Sequence, residues 1–182
     1  MYQVKNYDSL LGLTGFSDQV LNTHFALYKG YVDNTNKLLE TNDNAESRRR
    51  LGWEFNGMRL HEHYFEALAK DPKPLDENSE LAKKIIADFG SIENWQKDFK
   101  ATALMRGIGW VILYYDFIED KLINFWIEQH HSGHPAGLKL LLNLDLFEHA
   151  FLIDYGTKKA DYIETFMKII DWKVIEKRFD EK

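Results

Sequence analysis

The stretch LDLFEHAFLIDYG (residues 144–156) sets an aspartate, a glutamate and a histidine inside one of the most apolar runs of the chain. Asp145 stands four residues before His149, with Glu148 beside the histidine. Buried charges are costly unless something pairs them, and so are imidazoles without hydrogen-bond partners. A salt-bridged core, a hydrolytic pair and a metal site would each account for the run. The rest of the chain has to choose among them.

On its N-terminal side the run is preceded by β-like sequence. WVILYYDF (110–117) and KLINFWIE (121–128), joined by IED (118–120), read as a hairpin of aromatic and β-branched residues, and GLKLLLNLD (137–145) adds a third strand. On its C-terminal side TKKADYIETFMKIIDWKVIEKRF (157–179) returns to helix. The first half is helical. Ser17 suits the N-cap of a long helix over 18–40, with Val20, His24, Leu27, Tyr31 and Leu38 at roughly helical spacing. A second helix is expected over 45–70, with Trp53, Met58, His61, Tyr64 and Leu68 near one another in phase. DPKPLDENSE (71–80) reads as a loop, and two shorter helices follow over 80–90 and 91–107. The expectation is an α+β chain with a change of texture near residues 88–92.

Composition narrows the chemistry. At 182 residues and 45% apolar content the chain can bury a sizeable core. A formal charge of -6 argues against nucleic acid as a partner. There is no cysteine, so any metal must be held by His, Asp or Glu. Residues 1–16 lack a basic segment followed by a long apolar one, and no apolar run approaches the ~20 residues of a membrane span. A soluble cytoplasmic protein is expected.

The candidates are His24, His61, the pair Asp145/His149 and the cluster EQHHSGH (128–134). His24 and Tyr31 lie seven residues apart, about 700° of helix rotation, so they nearly superpose on one face. His63 points about 200° away from His61 and reads as surface or secondary packing. Each residue taken singly is more simply a core histidine, a surface acid or a packed tyrosine. Together, three imidazoles and one carboxylate without sulfur suit iron or manganese, and zinc less exclusively.

Order and local motifs carry a resemblance over nearly the whole chain. LDLFEHAFLIDYGTKKADYIETF (144–166) resembles the D-x-W-E-H-A-Y signature of the iron/manganese superoxide dismutases and the sequence that follows it. FGSIENWQKDFKATALMRGIGW (89–110), FNGMRLHEHYFEAL (55–68), HFALYKGYVDNTNKL (24–38) and IDWKVIEKRF (170–179) are similar to further segments of that family, in order. The resemblance implies an N-terminal helical-hairpin domain (1–88) and a C-terminal α/β domain (89–182) with a small antiparallel three-stranded sheet. It implies one iron or manganese ion per chain, held between the domains by His24, His61, Asp145 and His149. Superoxide would be the substrate, dismuted by ping-pong redox cycling. Tyr31 would be the gateway tyrosine, and Trp110 would line the pocket. Gln129 and His130 both stand where the partner of the bound solvent belongs, and the E-x-H-x-x-G-H spacing favours His130. A homodimer is implied, with Glu148 reaching His149 of the other subunit; a tetramer stays open.

The departures are local. The family's first ligand precedes its tyrosine by eight residues, and read without a gap Thr23 takes that slot; a lost one-residue helical bulge would restore His24. Leu152 replaces the tyrosine usual three residues after the last ligand, Phe147 a typical Trp, and Phe65 stands where Trp is common. Three alternatives follow: a dismutase-like metal-binding protein with weak or altered activity, a facial-triad iron oxygenase, and a zinc hydrolase. The third histidine speaks against the second, and the absence of an HExxH motif against the last.

Overall fold

A computed structural model describes residues 1–41 and 44–181. Two long antiparallel helices, α1 (Asp18–Glu40) and α2 (Ala45–Glu66), form a hairpin. They are followed by α3 (Glu80–Phe89), α4 (Ile92–Ala103) and strands β1 (Trp110–Asp116), β2 (Lys121–Ile127) and β3 (Lys139–Asp145). The chain ends in a short α5 (Leu152–Tyr155), then α6 (Lys159–Ile169) and α7 (Trp172–Asp180). The sheet is antiparallel throughout with order β2-β1-β3, so the hairpin and the third strand read in the sequence are both present.

Helix starts are written in local chemistry. Ser17, Asn44, Ser79 and Ser91 each accept a hydrogen bond from a backbone N–H three residues on, satisfying a donor that the first helical turn leaves free. Helix ends are less legible. The helix expected over 45–70 stops at Glu66, and the one expected over 157–179 breaks at Ile170. Both breaks have one cause. Ala69 N–H donates to Ile169 O and Asp171 N–H to Ala67 O, so the two segments exchange backbone bonds instead of completing their helices. The Asp171 side chain then caps α7 at Lys173 N–H. The helix expected to reach 107 ends at Ala103, ahead of Gly109, where a Cβ would meet Ile127 O at 2.0 Å; only glycine lets the chain enter β1 this close to β2.

The apolar stripe of α1 is shifted from the expected one. Val20, Leu21, His24, Tyr28 and Val32 are buried, while Leu27, Tyr31 and Leu38 flank them half-buried. On α2, Met58, His61 and Tyr64 face the core, with Leu68 buried just beyond its end. Two side chains tie this hairpin to the sheet. Asn143 Nδ2 on β3 donates to Leu60 O, and buried Arg178 on α7 donates to Leu141 O and His63 O. Hydrogen bonds to a buried guanidinium are among the stronger ones, so α2, β3 and α7 are held in one register. Among the described residues no helix is long and apolar enough to cross a membrane.

Candidate metal centre

Four side chains from four elements meet where the hairpin faces the end of β3. His24 comes from the buried face of α1 and His61 from that of α2. Asp145 is the last residue of β3, and His149 sits in the 3-10 turn (Glu148–Ala150) that follows. One donor atom from each lies within 4.8 Å of all the others. His24 Nε2 is 3.2 Å, His149 Nε2 3.1 Å and His61 Nε2 3.5 Å from the same oxygen, Asp145 Oδ2. His61 and Asp145 are 0% exposed and His24 2%, whereas the His149 side chain keeps 22% of its surface. Thr23 is exposed and its hydroxyl donates to Gln19 O, so α1 turns His24, not Thr23, into the cluster while remaining a regular α-helix.

The surroundings aim each donor. His61 Nδ1–H donates to Gly57 O at 2.6 Å, which leaves Nε2 as a bare lone pair, 3.4 Å from His149 Nε2 and 3.5 Å from Asp145 Oδ2. His149 Nε2 lies within reach of both atoms but can carry only one proton, so it cannot serve both lone pairs, whereas a cation among the donors would; that is the observation that fits this set to a metal. Asp145 Oδ1 accepts from Phe147 N–H at 2.9 Å, and the Asp145 carbonyl accepts from Tyr162 OH at 2.7 Å, so Oδ2 alone is presented. Such outer partners fix ligand orientation.

Charge states follow from the same geometry. Burial pushes His24 below its ordinary pKa despite the opposing pull of Asp145, and pushes His61 well below, reinforced by the neighbouring His24. Burial alone would raise Asp145, but His149 and His24 outweigh it and hold the carboxyl far below the usual range. Neutral imidazoles and an ionised carboxylate are the forms a metal requires. A largely buried pocket presenting them favours a di- or trivalent cation with nitrogen and oxygen preferences, as iron and manganese have.

A second tier lies against the four donors. The Tyr31 ring packs on His61 at 5.1 Å between centroids, and its hydroxyl lies 2.8 Å from His130 Nε2. His130 is fully buried, receives the Trp110 indole N–H on Nδ1 at 3.1 Å and stacks on Phe147 at 4.6 Å. Burial pushes its pKa down to about 4, and raises that of Tyr31. Gln129 lies apart, lining a surface cleft with Glu46, Arg49, Arg50, Trp53 and His131. His63 is half-buried near Arg178 and outside the cluster, as its phase on α2 implies.

Several members of this arrangement were not legible in the sequence as functional residues. Gly57 is one: a Cβ there would sit 2.7 Å from the Tyr31 ring, so it both admits Tyr31 and supplies the carbonyl for His61. Its place four residues before a core histidine was the available signal. Tyr162 and Trp53, whose ring lies 4.7 Å from His130, carried none beyond aromaticity.

Residues 77–178 match the family model for the C-terminal domain of iron/manganese superoxide dismutases. The chain is 34% identical to a superoxide dismutase [Fe] of Aquifex aeolicus, over 98% of this chain and 91% of that one. It is 32% identical to a superoxide dismutase [Fe] of Methanothermobacter thermautotrophicus, over 90% and 86%. With a superoxide dismutase [Mn] 1 of Halobacterium salinarum the identity is 33%, over 91% and 87%. Relatives named for iron and for manganese both share this similarity, in keeping with a donor set that accepts either ion. With that similarity and one mononuclear His/His/Asp/His site per chain, the protein belongs to the iron/manganese superoxide dismutase family.

Proposed function

We propose that His24, His61, Asp145 and His149 hold one iron or manganese ion, that Tyr31 and His130 are the catalytic side chains beside it, and that the working unit is a cytoplasmic homodimer. The overall reaction turns two superoxide anions and two protons into dioxygen and hydrogen peroxide. A bound ion would supply the one-electron exchange, accepting an electron from one superoxide and returning it to the next. Everything else falls to the chain. The observation that carries the reading is the convergence of three Nε2 atoms on Asp145 Oδ2, with His61 held in the tautomer that leaves its donor bare.

Tyr31 and His130, joined at 2.8 Å, form the polar group next to the donors and are the pair able to hold or pass a proton there. Burial keeps the Tyr31 phenol protonated and the His130 ring neutral near pH 7, so the pair serves as a neutral donor. Trp110 and Phe147, both buried, wall the pocket against water. With a net charge of -6 opposing an anionic substrate, cations near the pocket matter; Arg50 lies near Tyr31 but is ion-paired with Glu54.

The dimer rests on unfinished business at His149. Among the described residues nothing in the chain hydrogen-bonds its Nδ1, its ring is part-exposed, and Glu148 beside it faces outward. Leu152 and Ile153, 48% and 45% exposed, extend an apolar surface from the same turn. A second copy bringing its Glu148 to this Nδ1 would complete the ligand's outer bond. We retain 1–88 and 89–182 as the two domains; α3 falls in the first by this division but packs on α4, α7 and β2 of the second.

The test is superoxide dismutation by metal-free protein reloaded separately with iron and with manganese, normalised to bound metal, with His149→Ala alongside. Activity with either ion, lost in His149→Ala, is expected. No activity despite one tightly bound ion per chain would remove the catalytic reading. Glu148→Ala should weaken association and activity together; full activity from a monomeric Glu148→Ala protein would remove the cross-subunit role.

A further inference from the structure

The bond between Trp110 and His130 decides which nitrogen of His130 carries a proton. An indole N–H can only donate, and it lies 3.1 Å from Nδ1 between two residues that are both fully buried. A proton on Nδ1 would set two donors face to face and leave both unpaired away from water, which buried groups avoid. Nδ1 therefore carries the lone pair, and the one ring proton sits on Nε2, 2.8 Å from the Tyr31 oxygen. The phenol oxygen accepts that proton's hydrogen bond. The Tyr31 hydroxyl proton is then uncommitted, since among the described residues the hydroxyl makes no other hydrogen bond.

We propose that Trp110 is a positioning residue that locks His130 in the Nε2–H tautomer, so that His130 donates to Tyr31 and the Tyr31 hydroxyl is the donor left to face the metal-bound position. The part concerning the metal rests on the function proposed above; the tautomer does not. An amide side chain in this place would offer two N–H groups, one for the tyrosine and one for the centre. A neutral imidazole has one, and here it is spent on Tyr31.

The surrounding fold makes the lock rigid. Trp110 opens β1 and is the cross-strand partner of Asp145, so the strand pair that presents the carboxylate also presents the indole. The loop bearing His130 is pinned from the same strand. His134 Nε2–H donates to His130 O at 2.8 Å, which leaves His134 Nδ1 to accept from Tyr114 OH on β1 at 2.7 Å. Stacking on Phe147 holds the His130 ring plane. A turned-over His130 ring would place carbon against both Trp110 and Tyr31 and lose both bonds.

The experiment is long-range proton–nitrogen NMR on the full-length, 15N-histidine- and 15N-tryptophan-labelled protein loaded with Zn2+, a diamagnetic ion. The expected His130 pattern is a protonated Nε2 and an unprotonated Nδ1, with a scalar coupling across the hydrogen bond from Trp110 Nε1 to His130 Nδ1. A protonated Nδ1, or no such coupling, would overturn the proposal without any substitution. Trp110→Phe should shift His130 toward a mixture of tautomers while His61 keeps its Nδ1–H pattern and His134 its Nε2–H pattern, which shows the fold intact. An unchanged His130 pattern in a folded Trp110→Phe protein would assign the locking to Tyr31 instead and sink the role given to Trp110. In His130→Gln the indole proton should stay hydrogen-bonded, now to the amide oxygen; a free indole proton there would count against it. Protein that shows these couplings but fails to dismute superoxide would sink the function and leave the tautomer standing, and the converse result would do the reverse.

Discussion

The two sides of the metal centre are built differently. On the helical side, His24 and His61 project from two long helices, and their aim follows from the 3.6-residue period and an apolar stripe. On the other side, Asp145, His149 and His130 come from a strand end, a 3-10 turn and an irregular loop. Their aim is fixed by individual hydrogen bonds: Phe147 N–H and Tyr162 OH for Asp145, and Trp110 and Tyr31 for His130. A helix positions a ligand by repetition, and a loop positions one only through bonds to its neighbours. The helical side should therefore tolerate loss of any one supporting bond better than the loop side, while depending absolutely on which residue faces inward.

The largest expected effect tests that dependence. His24→Ala should abolish tight metal binding and with it the thermal stabilisation that binding confers, read as melting temperature with and without added iron or manganese. An undiminished metal-induced rise would mean that His24 is no ligand.

Lowering the pH strains the loop side. An unfolded histidine near 6.5 takes up a proton that His130, held near 4 by burial, refuses while folded. The unfolded state then binds more protons, so the metal-free protein should lose stability as pH falls from about 6.5 through 4, by roughly 3 kcal/mol from this residue. Buried His24 and His61 act in the same direction. Urea midpoints at pH 7 and 4.5 measure the slope, and His130→Gln should flatten it; equal slopes in both proteins would show that His130 titrates normally.

A smaller effect comes from joining the two sides. Gly57→Ala would press a methyl into the Tyr31 ring, at a cost of about 1–3 kcal/mol offset by about 1 kcal/mol of helix propensity. It should also displace Tyr31 from His130, which the Tyr31 hydroxyl's NMR shift would report; an unmoved Tyr31 in a fully stable protein would show that α1 and α2 slide apart freely. The smallest effect is expected from Thr23→Val, which removes an exposed hydroxyl bonded only to its own helix and should stay within about 0.5 kcal/mol with metal binding intact. Loss of metal in this variant would place Thr23, not His24, at the centre.

By itself the sequence determined the parts whose physics is local. Ser17 announces its helix because a cap bond spans only three residues, and the structure shows Asn44, Ser79 and Ser91 capping theirs in the same local way. The three strands are legible from their β-branched and aromatic runs, and the inward face of His61 from its place beside Met58 and Tyr64. His24 was ambiguous by one residue, because motif spacing pointed to Thr23 and helical phase to His24; only packing of α1 against Asp145 resolved it. The same holds for the end of α2 at Glu66 and the break at Ile170, where two segments about a hundred residues apart exchange backbone bonds that no local propensity foretells. Spacing in the sequence favoured His130 over Gln129, but only the tertiary structure set its bonds to Tyr31 and Trp110, because loop side chains have no period to aim them and take their direction from whatever donor the fold brings near.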